Sequence, residues 1–570
     1  MTCRWSDKRI DPRRAIAALS LLTLLACVDS LSAAPPTLSY LFPAGGQRGT
    51  KVAATLTGDF PWPVSVWAPG VEVTAAEEKG KLEISIPEDL YADRIWLRLH
   101  SAEGASAIVP FLIGNLLEVN EVEPNNNPKN AQTLSQAQVI VNGALQGGGD
   151  VDGFAVELTA GQTLVASVDA NGKLGSPVDA VIQIAAPAGN VLAENHDDVA
   201  FDPRLAYTAT KTGTHIVRVF GFSSTANTTI AFQGDASYIY RLTITTGPFV
   251  TYAAPSSVSL AEPGNVEVFG WNIPPGTKIP VLPFGRTRLN EHQEFETLDD
   301  LRNSTDDRIG LVFAPGLAGS TRVRLAAQTG IPSIAQGDAA NPMPLTLPNT
   351  VVGMLRDSKQ KDVYRLPLKA GQPIVLAVES RSIESLLDPP LLKLTDPAGN
   401  IAAQVIDQSP ARASIISHTA AQDGDYQLQI RSRFRQGGDR CFYRLTARQE
   451  ESDFELTAGA DSIVVTHDKP TELAVTIIRR TGPEGAIGPI TIEAVGLPEG
   501  VTAVPVVSDV SGDTAGTVKL SFTTTGAAFS GPIRLMGTAV LPREIKRFIR
   551  TPPKLSASIE TFWLTSVVKP

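Results

Sequence analysis

Cysteine is nearly missing from this chain of 570 residues: there are three, and Cys3 and Cys27 both fall within the first 34 positions. Cys441 alone remains beyond them, so that part of the chain cannot close an intrachain disulfide. Any exported module in it must rest on core size or on bound ions. Cys441 itself, beside Phe442 and Tyr443 in a strand-like run, reads as a buried apolar filler. Histidine is scarce as well, with six residues at 100, 196, 215, 292, 418 and 467, none at zinc spacing. The strings HExxH, GxSxG, GxxxxGKS/T and CxxC do not occur. Zincin, α/β-hydrolase, P-loop and dithiol chemistry therefore have no sequence warrant. No helical apolar stripe is sustained over about 15 residues, and beyond Val28 no apolar run approaches the roughly 20 residues of a bilayer span.

Charge is also sparse, at 19% of residues with a net of −10. Basic residues Lys8, Arg9, Arg13 and Arg14 precede an apolar run from Ala15 to Val28, and the small residues Ser32, Ala33 and Ala34 follow it. That is the layout of a secretory signal segment. Three processing outcomes stay open: cleavage near Ala33 or Ala34, lipid anchoring at Cys27 in the lipobox-like Leu24-Leu25-Ala26-Cys27, or an uncleaved anchor. Each places the remainder outside the cytoplasm, as a secreted, periplasmic or cell-surface protein. Setting residues 1–34 aside leaves 44 basic against 56 acidic side chains. This balance argues against a nucleic-acid partner, whose phosphates must be neutralised by Lys and Arg.

What the chain does have is turn chemistry and β-formers: 47 Gly and 42 Pro among abundant Thr and Val. KLEISIP, RIWLRLH, FAVELTAG and GTVKLSFTTTG alternate at period two. The expected class is all-β, a multidomain chain of β-sandwich or jelly-roll-like domains. An internal repeat organises it. DVDGFAVELTAGQT (150–163) answers QKDVYRLPLKAGQP (360–373), PAGN at 187–190 answers PAGN at 397–400, and Tyr240-Arg241-Leu242-Thr243 answers Tyr443-Arg444-Leu445-Thr446. Each copy spans about 100 residues, enough to close its own core. The predicted division is a signal segment at 1–34, an Ig-like sandwich at 35–118, the first copy at 119–248 and a further sandwich at 249–345. The second copy at 346–448, an Ig- or fibronectin-like sandwich at 449–545 and a tail at 546–570 complete it. Trp62 and Trp67 read as core or turn packing, with surface stacking as the alternative. The apolar patch around Phe562, Trp563 and Leu564 fits either a terminal strand or a tether.

Oxygen ligands gather around the first copy: Glu121, Glu123, Asn125 and Asn126 before it, Asp150 and Asp152 at its entry, Asp179 before a strand, and Glu194, Asn195, Asp197 and Asp198 in a loop. Calcium takes six to eight hard oxygens and needs neither thiol nor imidazole. The competing reading is a set of Asx turns and solvated corners. A bound ion would order the segment 120–134, which by composition is a linker. The second copy keeps Asp362 and Asp388, but Gln360 stands where the first has Asp150, its acidic loop shrinks to Asp407-Gln408, and no Glu-Pro-Asn segment precedes it. Calcium is not expected there.

EVEPNNNPKNAQTL, GDVDGFAVELTAGQTL, DAVIQIAAPAGNVLAENHDD, GTHIVRVF and YRLTI, in that order, closely resemble the bacterial pre-peptidase C-terminal (PPC) domain family, related to the collagen-binding domains of secreted collagenases. The match covers about 120–246, with a weaker one over about 349–447. The resemblance implies β-sandwich modules attached to secreted enzymes, and calcium (Ca2+) held by Glu121, Glu123, Asn125, Asp150 and Asp152. LFPAGGQRGT and the GLPEGVTAVPV region resemble Ig-like modules of exported bacterial proteins. No peptidase or hydrolase segment accompanies them. The expected function is therefore a secreted, non-catalytic binding or scaffolding protein, not an enzyme, recognising extracellular protein or polysaccharide surfaces. The alternatives are a structural component of a cell-surface assembly and an accessory subunit of a separately encoded peptidase or hydrolase.

Overall fold

The computed structural model describes residues 34–567 apart from 226–230, 260–261, 284–308, 327–332, 335–336, 407–412, 468 and 556–558. The leader with Cys27, His292, and Asp407-Gln408 of the second copy lie outside the described residues. Strands dominate because the period-two pattern buries one face of each. In Thr471–Arg480, Leu473, Val475 and Ile477 enter a core while Glu472, Ala474 and Thr476 face solvent. Each aliphatic side chain so buried stabilises by about 1.5–3 kcal/mol. The fold is all-β, a series of β-sandwiches whose described residues form five large apolar cores at 38–113, 139–244, 250–325, 345–447 and 454–564.

The two repeats share one topology. In the first, Gln132–Thr133, Asp152–Leu158, Gly213–Ser223, Val178–Ala185 and Val191–Asn195 form one sheet, in that order. Leu117–Asn120, Gln138–Ala144, Ile239–Thr245, Thr163–Asp169 and Arg204–Thr208 form the other. The second repeats both orders with Met343–Pro344, Lys361–Leu368, Gly424–Arg431, Leu391–Thr395 and Ile401–Val405 facing Ser333–Ile334, Asn349–Met354, Phe442–Gln449, Pro373–Glu379 and Ser414–Thr419. Each also carries a single helical turn at the same place, Asn171–Leu174 and Arg381–Ile383. Cys441 is buried in the second repeat's core.

The last core draws in strands beyond 545. Ile545–Phe548 pairs with Phe529–Ala539, and Thr561–Val567 lies between Phe529–Ala539 and Ser462–Thr466. The run Phe562-Trp563-Leu564 is apolar at three successive positions because both faces of its strand are covered. Phe562 and Leu564 fill the core, and Trp563 meets Trp67 and His100 of the first sandwich. Trp67 thus packs between sandwiches, while Trp62 lies half-buried on its own core and donates to the Ala76 carbonyl.

Charged pairs stitch the sandwiches together. Arg98, 2% exposed, donates to Asp461 of the last one. Arg322 forks onto Asp93 with contacts of 2.9–3.1 Å. Between the repeats, both terminal nitrogens of Arg440 lie 2.6 Å from the Asp198 carboxylate, and Arg204 donates to Glu384 at 3.1 Å. Asp198 is only 4% exposed. Asp198→Ala would leave the Arg440 guanidinium without its carboxylate, an uncompensated charge that costs about 3–5 kcal/mol. Urea unfolding is expected to show that loss, partly recovered in the Asp198→Ala/Arg440→Ala double variant. Burial acts to raise the Asp93 carboxyl, but Arg322, through its charge and hydrogen bonds, and Arg94 hold it down at about 2. The stabilisation from this bridge is whole above the unfolded carboxylate value of about 3.9 and is lost as pH falls toward 2. Asp93→Asn should flatten the fall in melting temperature over that window.

Candidate metal centre

The stretch 120–134 is docked onto the first repeat, not a free linker. Gln132 ties its two ends, accepting from the Val122 amide at 2.7 Å and donating to the Asn120 carbonyl at 3.1 Å. Gln132–Thr133 then pairs in parallel with Asp152–Leu158. This brings the Glu-Pro-Asn segment over the entry of that strand, and Asn125 becomes fully buried. Glu123, Asp150 and Asp152 bring carboxylate oxygens within 4.8 Å of one another.

Glu121 stands beside this trio. Its Oε1 accepts from the Ala144 amide at 2.9 Å, and its Oε2 accepts from the Tyr240 hydroxyl at 3.2 Å. The same hydroxyl lies 2.6 Å from Asp152 Oδ2, so one proton serves two carboxylates. Asp150 accepts from Asn126 Nδ2 at 2.7 Å and from the Gln146 amide at 2.6 Å. Gly143 makes the arrangement possible, because a Cβ there would lie 2.3 Å from the Tyr240 hydroxyl and 2.5 Å from Glu121 Oε2.

Electrostatically the group is incomplete. Glu121, Glu123, Asp150 and Asp152 form no ion pair with a Lys or Arg among the described residues. Burial first, then the charge of Glu121, pushes the Asp152 carboxyl up to about 9, against the opposing Tyr240 hydrogen bond. Burial likewise raises Glu121. Asp152 Oδ1 and both side-chain polar atoms of Asn125 are buried with no hydrogen-bond partner. Several hard oxygens, clustered negative charge and orphaned acceptors fit a hard divalent cation, with Glu123, Asn125, Asp150 and Asp152 as its holders and Glu121 bracing Asp152 through Tyr240.

The second repeat supplies an internal control. Tyr443 donates to Asp362 Oδ2 at 2.6 Å, as Tyr240 does to Asp152, and Gly353 leaves the same room for the tyrosine ring. Here, however, Gln360 Nε2 donates to Asp362 Oδ1 at 2.7 Å and to the Met354 carbonyl at 2.8 Å. The oxygen that is orphaned in the first copy is satisfied in the second by a neutral amide. Asp388 is held instead by Arg381 and Gln436.

The remaining acidic residues do not join the cluster. Glu194 accepts from Gln183, Asp197 pairs with exposed His196, and Asp198 bridges to Arg440. Burial, then Asp197, raises the Asp179 carboxyl. Tyr240 and Gly143 escaped the sequence reading, although the repeat offered the signal: both copies carry the tyrosine, and both place a glycine opposite it. Gln360→Ala should strip two bonds from buried acceptors and cost the second repeat roughly 1–3 kcal/mol. That loss, read by chemical denaturation, should be the same with and without calcium.

Comparison with known proteins bears on this same region. Residues 150–221 match the family model of the bacterial pre-peptidase C-terminal domain. Among solved structures, the pre-peptidase C-terminal domain of Bacillus anthracis collagenase is 16% identical, with 20% of this chain and 99% of that one covered at a TM-score of 0.16. The M60 catalytic domain with the CBM51-1 and CBM51-2 domains of Clostridium perfringens ZmpB is 9% identical, covering 73% of this chain and 46% of that one at 0.14. The N-terminal four Ig domains of Dscam1 isoform 9.44 are 9% identical, covering 91% and 99% at 0.18. TM-scores this low carry no weight for this chain. No curated protein matches it. Residues 150–221, which hold Asp150, Asp152 and their strand, are thus similar to the bacterial pre-peptidase C-terminal domain and lie within a chain of β-sandwiches.

Proposed function

We propose that this is an exported, non-catalytic binding or scaffolding protein for extracellular protein or polysaccharide surfaces, with a calcium ion locking its first pre-peptidase module. The division into modules at 35–118, 119–248, 249–345, 346–448 and 449 onward is part of this reading. The observation that carries it is the contrast between the copies: one buried carboxylate oxygen has an amide partner at Asp362 and none at Asp152. A divalent ion supplies the missing positive charge and lets Glu123, Asn125, Asp150 and Asp152 close on one centre. It would then act as the staple that a disulfide provides elsewhere.

Support for a non-catalytic role comes from how the reactive side chains are used. His196 pairs with Asp197, His215 Nδ1 lies 2.9 Å from the Gly213 carbonyl, His100 packs on Trp563 and His418 on Tyr426. Among the described residues, none of these four is hydrogen bonded to a hydroxyl or thiol that it could activate. The matched family is a module of peptidases and not the catalytic part. Recognition then falls to rims and seams between rigid sandwiches.

Calorimetric titration of the metal-stripped mature chain with calcium is expected to release or absorb heat at a single site. At free calcium a hundredfold above Kd the stabilisation should be about 2.7 kcal/mol. Asp150→Asn and Glu123→Gln should weaken both the heat and the shift in melting temperature. No heat and no shift at millimolar calcium would sink the metal centre. For the binding role, pull-down of the mature chain against extracellular matrix, peptidoglycan and glycan panels should retain one class reproducibly.

A further inference from the structure

In the strand Arg94–His100, Ile95, Leu97 and Leu99 fill the first sandwich's core, which turns Arg94, Trp96, Arg98 and His100 outward. The last sandwich claims two of these four: Arg98 donates to Asp461 and His100 stacks on Trp563 at 4.6 Å. At the other end, Leu112, which lies opposite Arg94, packs with Leu174 of the first repeat. Arg94 and Trp96 are left half-buried between these two seals, with the guanidinium 4.5 Å from the ring centroid.

The other cations at this junction have hydrogen-bond partners: Arg48 donates to the Leu90 and Ala92 carbonyls and Lys554 to that of Ile108, and the rest have carboxylates. Arg322 takes Asp93, Lys173 takes Asp169 at 2.9 Å, Arg204 takes Glu384 and Arg440 takes Asp198. Arg94 makes no hydrogen bond or ion pair with any described residue. Its interactions are the Trp96 ring, attraction to Asp93, which Arg322 already engages in a fork, and repulsion from Arg322 itself. Burial, then Arg322, brings the guanidinium down to about 10. A planar fork of N–H donors, backed by an aromatic face and short of one negative charge, matches a carboxylate edge. A monoanion balances the one charge of Arg94, whereas the chain's net of −10 opposes a dianion. The seam is also narrow: a Cβ on Gly175, just past the helical turn, would lie 3.1 Å from Leu555 of the last sandwich.

We propose that Arg94 and Trp96 form a binding site for a carboxylate-bearing small molecule or flexible chain end, held edge-on by the guanidinium where the first sandwich, the first repeat and the last sandwich meet. The site is independent of the metal centre, so its test uses the full mature chain in chelator at low salt. The probes are glucuronate and N-acetylglutamate, which separate a sugar source from an amino-acid source, each with its methyl ester as control. At least one free acid should give saturable heat and a change in tryptophan fluorescence, and its ester should give neither. Arg94→Gln should weaken binding by about tenfold or more, the value of one charge-assisted hydrogen bond. Circular dichroism should stay unchanged, because no native hydrogen bond or ion pair with a described residue is removed. Trp96→Phe should remove the fluorescence change and keep most of the heat. Absence of binding by both acids, equal affinity in Arg94→Gln, or equal binding of the esters would overturn the assignment.

Discussion

A carboxylate taken fully out of water must find positive charge, donors or a proton, and each repeat of this chain is built around one such group. Asp152 and Asp362 open equivalent strands, lie at 0% and 1% exposure, and accept from a tyrosine of the facing sheet at 2.6 Å. That bond ties the two sheets of each sandwich together at the mouth. The two copies differ in what satisfies the second oxygen. Gln360 does so in one, and in the other the surrounding residues add further carboxylates, so that the demand for a cation grows. A duplicated scaffold thus carries one version whose buried oxygens are satisfied internally and one in which Asp152 Oδ1 has no partner among the described residues.

The same rule governs how the sandwiches adhere. Their contacts combine small apolar clusters, such as those holding Leu112 with Leu174 and Ile140 with Phe249, with Arg–carboxylate pairs: Arg440 with Asp198, Arg322 with Asp93, Arg98 with Asp461. Buried pairs of this kind add little net stability over apolar packing, but they penalise any arrangement that separates the partners. They fix how modules sit against one another and leave seams lined with polar groups. The Asp198 loop shows the consequence, since an acidic string that invites a metal reading is spent on holding the repeats together. The Arg94 seam shows the converse, a cation left over when the pairing is complete.

The sequence by itself determined a good deal. Alternation at period two, the Pro and Gly punctuation and the matched strings of the two copies were enough for the all-β class, the duplication and the kinship with pre-peptidase modules. They sufficed because pleat geometry writes burial into the order of residues. Residue type and resemblance to the family also singled out Glu121, Glu123, Asn125, Asp150 and Asp152 as candidate ligands. Tertiary structure alone decided which acidic residues share a site. It drew Glu123, Asp150 and Asp152 together and sent Asp198 to Arg440, 242 positions away. It also showed that Phe562, Trp563 and Leu564 are a central strand with both faces covered. Alternation along a strand says which side a residue faces, whereas the partner that waits on that side depends on how distant segments close in space.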